Sequence, residues 1–313
     1  MARIVTILMV LSLAGAARAQ EDYGFEFSKA GTGGFQFLKI GMGAREVAMG
    51  EAVAGVSQDA NAVFWNPAGL PFVESYQAAF THNAWIAGSR VDAFVGVFPA
   101  LSFVIGVHVM QFAIEEFEET TVDAPDGTGR MVNAGDLNIG LTVSRRFSDR
   151  FTLGLQAKYV REELDGVAVN NLLFDVGAMY YIGFHHLRLA FVVQHFGADR
   201  AYFVEKFRMP LLFRVGAADD VIDTEDLRTT VALDLVHPTD NTEWLNAGAE
   251  VTLMKLLALR AGYRFLHEDG QLSFGGGLSG ADLLPIDVRI DYAYASFGEA
   301  LGATHRISLI VGF

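Results

Sequence analysis

From about residue 75 to the end of the chain, large apolar side chains alternate one-for-one with small or polar ones, segment after segment. Leu137-Asn138-Ile139-Gly140-Leu141-Thr142-Val143-Ser144 puts an aliphatic at every odd position, and Phe151 to Tyr159, Leu245 to Thr252 and Leu257 to Phe265 repeat the pattern. Side chains on a strand point to opposite faces in turn, so each segment has one apolar and one polar face. The segments are about 9 to 13 residues long, where soluble strands average about 5 to 6 and a tilted membrane strand needs about 9 to 11. The pattern therefore predicts an all-β fold, a transmembrane antiparallel β-barrel whose apolar face meets lipid.

The expected strands are 75–83, 89–98, 101–112, 135–147, 150–163, 170–182, 186–196, 209–218, 227–237, 244–253, 256–266, 270–280, 283–296 and 303–313. That is about fourteen, an even number, as a bacterial barrel with both chain ends on the periplasmic side requires. Tight links at Phe98 to Leu101, Ser148 to Arg150 and Met254-Lys255 alternate with a long link at 113–134 and medium links at 164–169, 197–208 and 238–243. Short periplasmic turns and longer outer loops fit that alternation. The acidic link 219–226 is the exception, since this register makes it a periplasmic turn. Trp85, Tyr159, Tyr180, Tyr181, Tyr263, Tyr292 and Tyr294 are candidates for interfacial aromatic girdles.

The ends of the chain agree with export to an outer membrane. Arg3, an apolar run from Ile4 to Leu13, and Ala17-Arg18-Ala19 before Gln20 form the layout of a cleavable Sec-type signal, with cleavage expected after Ala19. Residues 1–19 are thus the signal peptide, 20–74 a separate N-terminal segment and 75–313 the barrel. Ile307, Leu309, Val311 and Phe313 share one face, and the chain stops on Phe313, the ending by which barrel assembly machinery recognises its clients. The expected location is the outer membrane of a Gram-negative bacterium.

Composition narrows the chemistry. Cysteine is absent, so disulfides and thiol-ligated metals are ruled out. A net charge of −14 with 23 scattered basic residues argues against nucleic acid. The eight histidines, His82, His108, His185, His186, His195, His237, His267 and His305, sit in no HExxH motif, and no GxSxG occurs. No catalytic residue, metal or cofactor is expected. His185-His186 reads as a solvated pair in a tight turn. The run Glu115-Glu116-Phe117-Glu118-Glu119 lies in the longest outer loop, either as a solvated loop or as a holder of lipopolysaccharide-bound cations.

Charges on the polar faces must line the interior, because one facing lipid at the midplane costs about 2–4 kcal/mol. They include Lys158, Asp175, Arg188, Arg214, Asp234, Glu250, Arg260, Arg264, Asp287, Arg289, Asp291 and Arg306. Charges of both signs predict pairing with one another and with Arg45 and Glu46, hence a plugged and gated lumen.

Residues 35 to 70 break the alternation. Ala44 to Val53 is rich in small residues and fits a short helix, and Asn66-Pro67 marks a turn with Gly69 as a break before the first long strand. Gly41 and Gly43 are not a dinucleotide fingerprint, since Glu46 stands where a third small residue is needed. The string FLKIGMGAREVAMGEAVAGVSQDANAVFWNPAGL resembles the N-terminal signature of the PorV/PorQ family, within the wider group of barrels similar to the long-chain fatty acid transporter FadL. That resemblance implies a hatch seated in the lumen, with the Asn66-Pro67-Ala68 turn leading into the first strand and with Gly41, Gly43, Arg45, Met49, Gly50, Asn66, Pro67, Ala68 and Gly69 as its motif; the barrel is read as entered from a periplasmic N-terminal hatch. It also implies docking of secreted cargo or secretion-system proteins in a type IX-like pathway. A FadL-like importer of hydrophobic small molecules is the alternative, for which a greasy lumen pocket near the hatch would be decisive.

Overall fold

The computed structural model describes residues 31–266, 271–280 and 286–313. The expected signal peptide, the start of the N-terminal segment and His267 lie outside these residues. Fourteen strands close into one antiparallel barrel: β1 (Gln77–Ala84), β2 (Arg90–Ala100), β3 (Phe103–Ala113), β4 (Ala134–Ser148), β5 (Phe151–Leu164), β6 (Val167–Tyr181), β7 (Arg188–Gly197), β8 (Leu212–Asp223), β9 (Leu227–Pro238), β10 (Trp244–Leu253), β11 (Leu257–Phe265), β12 (Gln271–Ser279), β13 (Asp287–Ser296) and β14 (Ala303–Gly312). Each pairs with its sequence neighbours, and β1 closes on β14 with Gln77 opposite Gly312. Closure leaves no strand edge unpaired, the condition a sheet must meet in lipid.

The alternation sorts as its chemistry demands. Phe94, Ile139, Leu155, Leu172, Leu235 and Ile307 are among the large apolar residues exposed on the outside. Lys158, Asp175, Arg214, Asp234, Asp291 and Arg306 are buried on the inside. Tyr159, Tyr180, Tyr263 and Tyr292 stand on the outer surface. Two of the girdle candidates do not. Trp85 lies beneath the Arg306 guanidinium, 5.1 Å from its ring, and Tyr181 accepts a 2.6 Å hydrogen bond from Gln58 of the N-terminal segment. Both are drawn inward by polar partners.

Two links are shorter than the sequence suggests. The segment 164–169 is a two-residue turn, with Asp165 at φ +51° and Gly166 at +79°, the left-handed pair that suits the twist of a hairpin. The acidic segment 219–226 is mostly strand. β8 continues to Asp223, and only 224–226 turn. Asp220 can stay in the strand because it points inward to Arg188, at 3.0 Å, with Arg228 at 2.5 Å. The exception to the short-turn rule at this end therefore disappears. In the opposite direction, β8 starts only at Leu212, after Pro210, which has no N–H to give a ladder.

Residues 33 to 73 fill the lumen. Gly34 donates to the Arg208 carbonyl at 3.1 Å and Lys39 pairs with Asp240 at 2.6 Å. Both partners belong to loops at the long-loop end. The chain then descends through a 3-10 turn (Gln36–Lys39), α1 (Ala44–Ala48), α2 (Ala62–Trp65) and a second 3-10 turn (Pro67–Phe72) to reach β1 at the short-turn end. Residues 33 to 73 thus thread the barrel from its long-loop end to its short-turn end.

Candidate functional site in the lumen

A hatch of such short turns leaves many backbone groups unmatched by its own secondary structure, and buried groups of this kind need partners. The wall provides them. Asp234 accepts from Val53 and Ala54 N–H, both at 2.9 Å. Arg214 and Asn246 donate to the Glu51 carbonyl at 2.8 and 3.2 Å, and Arg306 to that of Gly41 at 3.2 Å. Ser144 and Thr152 donate to the carbonyls of Pro67 and Ala68 at 2.5 and 2.8 Å. Inward polar residues on both sides of the barrel therefore hold the hatch, and the lumen is plugged.

The strongest hold is a closed ring of six charges. Arg45 binds Glu250 through two nitrogens at 2.9 and 2.7 Å. Glu250 binds Arg260 at 2.5 Å, and Arg260 binds Asp291 at 2.6 Å. Asp291 binds Arg289 at 2.8 Å, Arg289 binds Asp59, and Asp59 returns to Arg45 at 3.6 Å. Arg45 and Asp59 belong to the hatch and the other four to β10, β11 and β13. Three guanidiniums and three carboxylates alternate, so the ring is neutral. Burial alone would raise the Asp59 carboxyl, but Arg289 and Arg45 hold it below its ordinary value. Glu46 is not part of the wall pairing expected for it. It turns into the hatch, accepting from Ser57 and Asn61 at 3.3 and 3.2 Å, and burial, reinforced by the charge of Asp59, pushes it up to about 8.

Small residues let hatch and wall touch. Gly50, at φ +64°, sets its backbone against Gly262, and the Met49 carbonyl lies against Gly248. A Cβ on Gly262 or Gly248 would overlap that turn. Gly277 leaves room for the Asp291 carboxylate and the Arg260 guanidinium, so the ring crosses β12, and Gly275 leaves room for Ala48. Across the lumen, Gly154 and Gly177 accommodate Pro67 and Asn66, whose amide donates to the Ala54 carbonyl at 2.8 Å and accepts from Ala68 N–H at 3.0 Å. Gly69 is pressed against the Ser57 carbonyl and Gly43, at φ +85°, begins α1. The sequence motif is thus a set of contact points, spread over both sides of the barrel.

Of the lumen charges, Arg188 pairs with Asp220 near the short-turn end and Arg264 pairs with Glu51 of the hatch. Asp287 departs from expectation. It occupies the exposed start of β13, opposite Gly312, and joins none of the ion pairs among the described residues, because the strand begins at the rim. Phe313 is exposed just past the end of β14, its N–H donating to the Tyr76 carbonyl at 2.9 Å. His185 and His186 lie in the turn between β6 and β7, exposed, as expected.

The hatch divides the interior. Toward the short-turn end a charged vestibule of about 410 Å³ has Arg45, Asp59, Glu250, Arg260 and Arg289 in its walls. Toward the long-loop end lies a lumen cavity of about 160 Å³, between Val63, Phe64 and Trp65 of the hatch and the inner faces of β3 to β8, β10 and β11. Above it, Phe35, Phe37, Trp85 and Phe112 line an aromatic mouth, which shares Gln36 and Ile40 with the cavity. The cavity is not the greasy slot a hydrocarbon carrier suggests. His108, Asn138, Gln156, Lys158, Asp175, Gln194 and His195 all face it. His108, Asn138, Gln156 and Gln194 carry no charge and sit in no motif, so only the parity of their positions pointed inward. His195 defies even parity, as described below.

No family model matches the chain, and no curated protein matches it. Solved structures do. The toluene transporter TbuX of Ralstonia pickettii matches with a TM-score of 0.60 at 12% identity, over 87% of this chain and 97% of that one. The CymD monoaromatic hydrocarbon channel matches at 0.59 and 14% identity, over 88% and 98%. The toluene transporter TodX of P. putida matches at 0.58 and 13%, over 87% and 99%. These neighbours are transporters and channels. The chain shares their fold, here a closed antiparallel barrel of fourteen strands.

Proposed function

We infer that this protein is a non-enzymatic transporter barrel of the FadL type, taking small molecules with an apolar body through the outer membrane of a Gram-negative cell after Sec-type export. The observation that carries this reading is the lumen cavity between hatch and wall. An engineered cavity of about 150 Å³ holds benzene, so 160 Å³ suits a compound of one ring. The aromatic mouth above it supports capture from the long-loop side. Because the hatch occupies the lumen, passage requires it to shift. The expected result is faster uptake of radiolabelled toluene or phenol by Gram-negative cells expressing the full chain than by cells with empty vector. Uptake of both compounds no faster than by the empty-vector cells would overturn the reading.

A second reading, docking of secreted proteins in a type IX-like pathway, rests on the resemblance of residues 35–70 to PorV/PorQ proteins. Phe203 and Val204, 82% and 89% exposed in the 198–211 loop, favour it as a contact point for a protein partner. Recovery of secretion components with the detergent-solubilised protein, lost in a Phe203→Ser/Val204→Ser variant, is its test. Lipopolysaccharide around the barrel and recognition of Phe313 by the assembly machinery belong to either reading.

A further inference from the structure

The wall of the lumen cavity carries polar groups that nothing in the protein satisfies. His108, Asn138 and Gln156 are 2%, 3% and 3% exposed. They stand side by side, since Met110 on β3 is opposite Asn138 on β4, His108 is opposite Gly140, and Thr142 on β4 is opposite Gln156 on β5. The Gln156 amide donates to the Val63 carbonyl at 2.9 Å and to Thr142 at 2.6 Å, but its oxygen has no donor. The Asn138 side chain lies beside the His108 ring, yet neither its oxygen nor either ring nitrogen of His108 meets a partner in hydrogen-bonding geometry. An orphaned buried polar group costs about 1–3 kcal/mol, and folded proteins carry few of them. Three such residues on one cavity wall point to a ligand that completes them.

A β-bulge adds a second, independent sign of construction. Between β6 and β7 the register shifts, so that Asp175 faces both Gln194 and His195. Strict alternation would send His195 out to lipid. The bulge, with His195 at φ +65°, turns it inward, where its Nδ1 lies 2.7 Å from the Lys158 ammonium, itself 2.6 Å from Asp175. A non-glycine residue held at positive φ is costly and clusters at functional sites.

The ligand's chemistry follows from what the wall lacks. Two carbonyl oxygens wait for a donor, and a neutral imidazole offers one donor and one acceptor. The Phe64 ring, 4.9 Å from His108, and Met110 give the apolar surface beside them. The cations around the cavity are already paired, Lys39 with Asp240, Lys158 with Asp175 and Arg264 with Glu51, so a carboxylate gains no free counter-charge. A hydrocarbon would fill the space and leave every orphan unmatched. We propose that the lumen cavity is a binding site for small neutral hydroxylated single-ring compounds, phenols and their kin, with His108, Asn138 and Gln156 reading the hydroxyl. This rests on the transport reading above and names its substrate class.

Calorimetric titration of the full-length protein in detergent, with phenol and with toluene, each referenced to protein-free micelles, tests it. The expected result is about tenfold or greater preference for phenol, since a site built around a hydroxyl rejects the analogue lacking it. His108→Leu/Asn138→Leu should abolish the preference while keeping toluene affinity, and His108→Gln, which retains a donor and an acceptor, should keep it. Equal or tighter toluene binding by the wild type, no binding of either compound, or an unchanged phenol preference in the folded Leu variant would overturn the proposal. Uptake of both compounds without preferential phenol binding would sink this site and leave the transport reading intact. Preferential binding without uptake would do the reverse.

Discussion

The two sides of the lumen differ in what their polar residues face: a charged ring on one, an open cavity on the other. On β10, β11 and β13 every charge of the ring has a partner, and glycines bring the hatch into backbone contact. On β3, β4 and β5 polar side chains face a cavity and three of them go unmatched. Both sides hold the hatch, the second through Ser144, Thr152 and Gln156, but the second also keeps room for something that is not this chain. A uniformly polar lumen would simply be a plugged pore. The asymmetry makes the hatch a gate with a fixed side and an open side.

That contrast can be broken at several points. The largest effect is expected from Glu250→Ala, which leaves Arg45 and Arg260 buried without their shared carboxylate; removal of one partner from such a pair costs about 3–5 kcal/mol. Hydrogen exchange should quicken across residues 44–57 while the strands far from β10 stay protected. Unchanged exchange there would mean the ring does not hold the hatch. Gly262→Val comes next, at about 1–3 kcal/mol for overpacking against the Gly50 turn. Gly276→Ala, on the outward face of β12 with its nearest neighbour at 3.4 Å, should be nearly neutral, and thermal melts of the two glycine variants compare them.

Acidity acts on the hatch through Glu46 and Asp59. Burial, reinforced by the charge of Asp59, pushes Glu46 up to about 8 in the folded protein, from an ordinary value of 4.5. The folded state therefore holds the proton more tightly, and stability falls as pH rises through that interval. Glu46→Gln should flatten the fall in melting temperature between about pH 4.5 and pH 8; parallel curves for variant and wild type would contradict the assignment. Asp59 has the opposite sign, its contribution being present above the ordinary aspartate range and lost in acid as it protonates. The smallest effect on stability belongs to the open side. His108→Leu replaces an unmatched polar group with an apolar one, so the melt should move within about 1 kcal/mol of wild type or rise. A loss as large as that of Glu250→Ala would show that His108 is part of the frame.

The barrel was legible because its chemistry is local and periodic. Alternation alone places thirteen of fourteen strand starts within three residues of where the described strands begin, the exception being β13, whose expected start at 283 lies outside the described residues. Inward charges followed from parity and the cost of facing lipid. The ring did not, because Arg45 and Glu250 are 205 residues apart and meet only when the hatch is seated. The run Gly275-Gly276-Gly277 was a readable hint of close approach to β12 that strand periodicity hides. His195 was out of reach for a different reason: a bulge changes parity by one residue, and nothing in Val192-Val193-Gln194-His195-Phe196 announces it. The hatch motif gave the contact residues, but not the direction of travel, which is set by Gly34 and Lys39 meeting loops far away in sequence.

The central claim is that the hatch closes the lumen and the ion ring keeps it closed. The chain has no cysteine, so one introduced pair reports alone. An added Cβ at Gly55 would lie 3.3 Å from that of Ala218 on β8, close to the separation a disulfide spans. Planar-bilayer conductance of Glu250→Ala carrying Gly55→Cys and Ala218→Cys is the direct measurement. The account predicts conducting barrels under reducing conditions and closed ones after oxidation. Equal conductance in both states would show that the hatch is not the plug.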